Sequence, residues 1–254
     1  AAEHKCRWTT EACSSAACCN RLDVLRLLRR LGCPWDSETC KCAIEEGYMD
    51  LLKWVRGQGC PWDAHCFNAA VRKKDFELMK WLKEKGCPWD KSTFDTAAEL
   101  GRVDFLKWMK ENGCLSSEYA CTAAAGSGRL EALQWLREQG CPWGFAKSTG
   151  EAAIKSGKVE VAKWCKENGC PWPEYPSHFA AAWGKLAMLK WLKEIGCPLT
   201  EKTYARGKHS RAIKDWLEEN GCPKPIATVD GDDSDSILWD EDDLDEEEEE
   251  GQED

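Results

Sequence analysis

Cysteine and tryptophan are the residues of this sequence with chemistry to offer. There are 17 of the first and 15 of the second. They meet in a recurring pentapeptide: GCPWD at Gly32–Asp36, Gly59–Asp63 and Gly86–Asp90. Altered copies follow as GCLSS from Gly113, GCPWG from Gly140, GCPWP from Gly169, GCPLT from Gly196 and GCPKP from Gly221. Regularly spaced thiols raise the question of a metal site or a disulfide ladder. The histidines that could complete a zinc site are only His4, His65, His178 and His209, and no Cys-x-x-Cys pair occurs. Two looser thiol clusters stand out, Cys13/Cys18/Cys19 and Cys40/Cys42.

The spacing of the pentapeptides decides how those thiols are held. The marker glycines follow one another at 27, 27, 27, 27, 29, 27 and 25 residues. A fixed period in this range means a repeat array. Counting back from Cys33 and Trp35 lands on Cys6 and Trp8, so eight units begin near Lys5. Each carries an alanine and, four residues on, a second glycine, as in Ala43 and Gly47; Asn20, Lys74 and His209 replace that glycine in three units. Tryptophan stands seven residues beyond it in seven units, from Trp54 to Trp216, with Leu27 in the first. Apolar residues around it recur with helical period, as in Met49, Leu52, Trp54 and Val55. Acids open this second helix (Asp50, Glu77, Asp104) and bases close it (Arg56, Lys83, Lys110), as the helix dipole favours. The marker glycine is expected to end it as a left-handed C-cap, with proline barring continuation. The Asp of PWD is expected to N-cap the next helix. Each unit is therefore an Ala-rich helix A, a tight turn, a Trp-bearing helix B and a short loop. No strand is expected.

In a stack of such units, equivalent cysteines stand one helix-packing distance apart, ~8–10 Å. Zinc needs ligands at ~2.3 Å from a common centre, and a disulfide needs Cα atoms within ~7 Å. The marker cysteines are thus read as small packing residues. Without a secretory pattern at the start of this sequence, the thiols are expected to stay reduced inside a cell. Helix-B tryptophans are expected in the core. The loop tryptophans Trp35, Trp62, Trp89, Trp143 and Trp172 have two readings: cover for the seams between repeats, or a strip of aromatic contacts for a partner. No phosphate-cradling loop, nucleophile elbow or His–carboxylate pairing stands out, so no catalytic residue, cofactor or metal ligand is assigned.

Charge is divided unevenly. The net charge is −10, but residues 229–254 hold 16 acidic residues and no Lys or Arg; the rest carries all 35 basic and 29 of the 45 acidic ones. Bases recur on helix B, as in Lys53/Arg56 and Lys80/Lys83. Pairing of Asp50 with Lys53 and Glu77 with Lys80 is expected to neutralise them, so nucleic acid is not the expected partner. The tail is expected to be disordered by composition. It embeds Ile237, Leu238 and Trp239 among acids, in the manner of a short docking peptide. No apolar stretch reaches the ~20 residues of a membrane helix.

The stretch AAAGSGRLEALQWLREQGC, residues 123–141, resembles an ankyrin repeat. The resemblance covers about residues 5–223, with units about six residues short of the usual ~33. The missing length falls where that family's β-hairpin finger stands, and its Thr-Pro-Leu-His opening is absent. It implies an all-α solenoid of helical hairpins, ankyrin-like, over residues 1–224, followed by an acidic tail, 225–254. It also implies a non-catalytic scaffold that binds protein partners. The alternative is an electrostatic chaperone or regulator that holds basic proteins through the tail. Nothing in the sequence argues for an oligomer.

Overall fold

The computed structural model describes residues 9–225. Cys6, Trp8 and the acidic tail, with Ile237, Leu238 and Trp239, lie outside the described residues. Sixteen helices, and no strand, occur among the described residues. They come in eight pairs: α1 (Thr10–Cys18) and α2 (Leu22–Arg30); α3 (Ser37–Glu46) and α4 (Met49–Gly57); α5 (Ala64–Lys73) and α6 (Phe76–Glu84); α7 (Lys91–Leu100) and α8 (Val103–Glu111); α9 (Ala120–Gly126) and α10 (Leu130–Glu138); α11 (Ser148–Ser156) and α12 (Val159–Glu167); α13 (Pro176–Ala182) and α14 (Leu186–Glu194); α15 (Glu201–Gly207) and α16 (Arg211–Glu219). None is long and apolar enough to cross a membrane.

Each odd helix packs on the odd helices before and after it and on its own even partner. The odd helices approach closely because their contact positions are small: Ala43, Ala70, Ala97, Ala124, Ala153 and Ala180 are all fully buried. The even helices touch one another far less. Their core side is Leu, Met and Val, as in Leu51, Leu52 and Val55 of α4 and Leu78, Met79 and Leu82 of α6. Bulkier side chains, tryptophan above all, hold their outer sides apart. The stack therefore has one tightly packed row and one row separated by grooves.

The pentapeptide makes both ends of this geometry. Gly32, Gly59, Gly86 and their five counterparts all sit at φ between 69° and 83°. The following cysteine amide donates to the carbonyl five residues back, as in Cys33 N to Leu28 O at 2.9 Å, while the glycine amide donates to Arg29 O at 3.1 Å. That pair of bonds is the Schellman motif, whose residue after the glycine is an apolar side chain turned back onto the helix. The marker cysteine fills that role. Asp36, Asp63 and Asp90 then cap α3, α5 and α7, accepting from the amides of Glu38, His65 and Ser92 at 3.1, 3.0 and 2.9 Å. Where GCLSS replaces GCPWD, the hydroxyl of Ser117 takes over and accepts from Tyr119 N at 2.9 Å.

The inner turns follow the sequence reading with one exception. Asn20 (φ 53°) and Lys74 (φ 60°) adopt the left-handed conformation that glycine supplies elsewhere. His209 does not; α15 ends at Gly207 instead. There Ile213 and Leu217 close onto the helix so tightly that a Cβ at position 207 would lie 2.7 and 2.9 Å from their methyl groups.

Candidate binding surfaces

The tryptophans form a repeating device. A cation from the last turn of an even helix lies over the ring of the loop tryptophan that follows it. Arg29 stands 4.1 Å from the centroid of Trp35, Arg56 3.7 Å from Trp62, Lys83 3.7 Å from Trp89, Arg137 4.3 Å from Trp143 and Lys166 5.9 Å from Trp172. The same loop ring meets the tryptophan of the next even helix. Trp35 and Trp54 are 6.2 Å apart, Trp62 and Trp81 6.2 Å, Trp89 and Trp108 5.6 Å, Trp143 and Trp164 5.8 Å, and Trp172 and Trp191 6.2 Å. Most of these meet edge to face, the arrangement the ring quadrupoles favour. The arginines do a second job, donating from a terminal nitrogen to the carbonyls of Cys33, Cys60 and Cys141.

This corrects one expectation. The helix-B tryptophans are half-buried, Trp191 alone being buried. Each sits at the margin of its helix's apolar stripe, where a ring too wide for the spacing of the stack can lie along the groove against the loop ring. The loop tryptophans are also half-buried and hold the seam between neighbours, leaving one side of each groove wall open.

Two of the resulting grooves form open hollows. One, of about 530 Å³, lies between α4 and α6 and is lined by Lys53, Arg56, Gly57, Trp62, Trp81 and Lys85. The other, of about 550 Å³, lies between α10 and α12 and is lined by Gln134, Arg137, Glu138, Trp164 and Asn168. The expected ion pair of Glu77 with Lys80 forms at 2.9 Å. That of Asp50 with Lys53 does not: Lys53 has no carboxylate in ion-pairing range among the described residues.

A different surface appears where the repeat pattern lapses. The unit that opens with GCLSS lacks the loop tryptophan, and the next is two residues longer. There Leu115 is 71% exposed, Phe145 57% and Tyr119 49%, and the two rings lie 5.5 Å apart. Gly144, at φ 89°, and Ala146, at φ 42°, turn the chain so that Phe145 projects. A Cβ on Gly144 would meet the Thr122 hydroxyl at 2.6 Å. The sequence signal for this patch is the 29-residue spacing together with the loss of Pro and Trp. Neighbouring Asp95 is half-buried in α7 with Oδ1 unpartnered, and burial pushes its carboxyl up to about 6, the Ser117 hydroxyl offsetting part of that.

The marker thiols are structural, whereas Cys18 and Cys19 are exposed. Cys33, Cys60, Cys87, Cys114, Cys141, Cys170 and Cys222 are buried and Cys197 half-buried. Several thiols donate to the backbone of the preceding unit. Cys60 Sγ reaches Asp36 O at 3.3 Å, Cys87 reaches Asp63 O at 3.6 Å and Cys222 reaches Thr200 O at 3.3 Å. Burial pushes the thiols of Cys66, Cys87 and Cys121 up to about 12, so they are protonated at neutral pH. Among the described residues no three His, Cys, Asp or Glu side chains are grouped to hold a metal ion. The approach that spacing between markers did not reveal is within a unit: Cys13 Sγ lies 3.6 Å from Cys33 Sγ. His178 is buried, with Nε2 2.7 Å from the Thr200 hydroxyl and its ring stacked on Tyr175. His65 and His209 are exposed.

No protein-family model matches this sequence, and no curated protein matches it at the sequence level. Among solved structures it is similar to the crystal structure of the human ASB11 ankyrin repeat domain, with a TM-score of 0.52 at 15% identity, over 74% of this chain and 99% of that one. This likeness and the eight helix pairs make the fold of this chain an ankyrin-like repeat array.

Proposed function

We propose that the chain is a non-catalytic scaffold that binds protein partners through the surface of its repeats. The observation that carries this reading is the cluster of Leu115, Tyr119 and Phe145. It places three large apolar side chains in solvent where a loop without Pro and Trp is followed by a unit two residues longer. Exposed aromatic clusters of this kind are where binding energy concentrates in protein interfaces. The loop tryptophans Trp35, Trp62, Trp89, Trp143 and Trp172 enter the same reading as walls of grooves. Among the described residues no arrangement of nucleophile, base and oxyanion donors supports a reaction, and the buried thiols of Cys87 and Cys121 are protonated.

The test is affinity capture from native extract with the full chain, the triple variant Leu115→Ser, Tyr119→Ser, Phe145→Ser, and a chain lacking residues 229–254. The substituted side chains are exposed, so stability should hold, which a thermal melt checks. The triple variant should lose partners that the wild type retains, and the tail deletion should keep them. Identical capture by the triple variant, or loss of every partner on tail deletion alone, overturns the reading in favour of the tail.

A further inference from the structure

The two open grooves stand at equivalent positions in different repeats. Moving from the α4–α6 groove to the α10–α12 groove, Lys53 becomes Gln134, Arg56 becomes Arg137, Gly57 becomes Glu138, Trp81 becomes Trp164 and Lys85 becomes Asn168. The helix tryptophan is kept and the charge is changed; Trp143, the counterpart of Trp62, does not line the second groove. The α4–α6 groove carries three cations and no carboxylate, whereas the other sets one cation against one carboxylate. Gly57 is the decisive position, because six other units place glutamate there, from Glu84 to Glu219. Nothing lies within 4 Å of where a Gly57 Cβ would be, so the glycine is not required by packing. Nor does it serve the turn, since it stands within the last turn of α4. Lys53, Arg56 and Lys85 have no ion-pair partner among the described residues; the Arg56 guanidinium is positioned by the Cys60 carbonyl and the Trp62 ring.

We propose that the α4–α6 groove binds a short acidic peptide segment from a partner protein, with one apolar side chain seated against Trp62 and Trp81. Lys53, Arg56 and Lys85 receive the carboxylates, and the missing side chain at Gly57 leaves the floor open. The two indole rings supply the apolar wall, held at 85° to each other. Charge complementarity selects the occupant. A nucleic acid strand suits the site less well: Trp62 already has a guanidinium over its ring, Trp81 stands across it, and no pair of parallel free ring faces is offered for base stacking. The positive zone is also short. Glu84 restores an acid one groove further on, which a phosphate backbone would meet and a short peptide would not. The site is separate from the Leu115 patch and rests only on the reading of the chain as a binding scaffold.

The experiment uses the full chain and a synthetic fluorescein-labelled peptide of three acidic residues, Leu-Trp and three further acidic residues. Binding is followed by fluorescence anisotropy at low and moderate salt. Gly57→Glu with Lys85→Asn gives this groove the side chains of its sister; exposed charge contacts of this kind are each worth a few-fold, so the pair should weaken binding roughly tenfold. The reverse set, Gln134→Lys, Glu138→Gly and Asn168→Lys, should raise the stoichiometry from one peptide per chain to two. Added salt should weaken wild-type binding and matter less for Gly57→Glu with Lys85→Asn. The proposal fails if the peptide does not bind, or binds the Gly57→Glu, Lys85→Asn protein as tightly as wild type. It also fails if an oligonucleotide of equal charge displaces the peptide and depends more strongly on the same residues. The triple variant at Leu115, Tyr119 and Phe145 should leave peptide binding unchanged, so loss of either surface is separable from loss of the other.

Discussion

Asp95 offers a quantitative test of the packing at the lapse in the repeat. Its carboxyl titrates at about 6 in the folded chain because burial penalises the charged form, with Asp90 and Glu118 adding repulsion and Lys91 relieving some of it. An aspartate in the unfolded chain titrates near ~3.9. The folded state therefore holds the proton more tightly, and stability falls as pH rises from about 4 through about 6. Above that the full penalty is present; below about 4 both states are protonated and there is none. The gap corresponds to about 3 kcal/mol at 1.36 kcal/mol per pH unit, and partial exposure of the side chain reduces this to about 1–2 kcal/mol. Asp95→Asn keeps the shape and the acceptor for the Ser117 hydroxyl while removing the charge. It should stabilise the chain by about 1–2 kcal/mol at pH 8 and have almost no effect at pH 4. Urea unfolding followed by far-ultraviolet circular dichroism, at pH 4, 6 and 8, measures the difference between the two proteins. A difference that does not vary with pH, or an asparagine variant less stable at pH 8, would refute the reasoning. Either result would mean that the carboxylate is satisfied in the fold.

Two further predictions concern the pentapeptide. A double-mutant cycle of Trp62→Ala and Trp81→Ala should give a coupling energy of about 1 kcal/mol, the value of an edge-to-face pair beyond simple burial; additive effects in denaturant titrations would remove the seam role of the loop tryptophans. Cys87→Ala should cost about 1 kcal/mol, through a lost buried sulfur and its contact with Asp63 O, as urea unfolding measures. Rapid alkylation of Cys87 in the native protein would contradict its burial.

Most of the fold was legible in the sequence because it is periodic and local. Cap and turn chemistry act over a few residues, so Gly86 could be placed at the end of α6 and Asp90 at the start of α7 without knowing what packs on either. The ankyrin-like resemblance was readable for the same reason, since it lies in the spacing of alanine, glycine and leucine within one unit. The binding surfaces were less legible. Exposure of Phe145 depends on how two extra residues are absorbed, and the sequence records only that they are there.

By itself, then, the sequence determined the period, the helix pairs and the left-handed corners. Each of these follows from bonding within one repeat. The tertiary structure alone decided that the helix-B tryptophans lie at the groove margin, that Cys13 and Cys33 approach each other, and that Lys53 goes unpaired while Lys80 finds Glu77. These outcomes depend on the rotation and separation of neighbouring helices. A shift of a few ångströms there changes which side chains meet, and no local spacing rule encodes it.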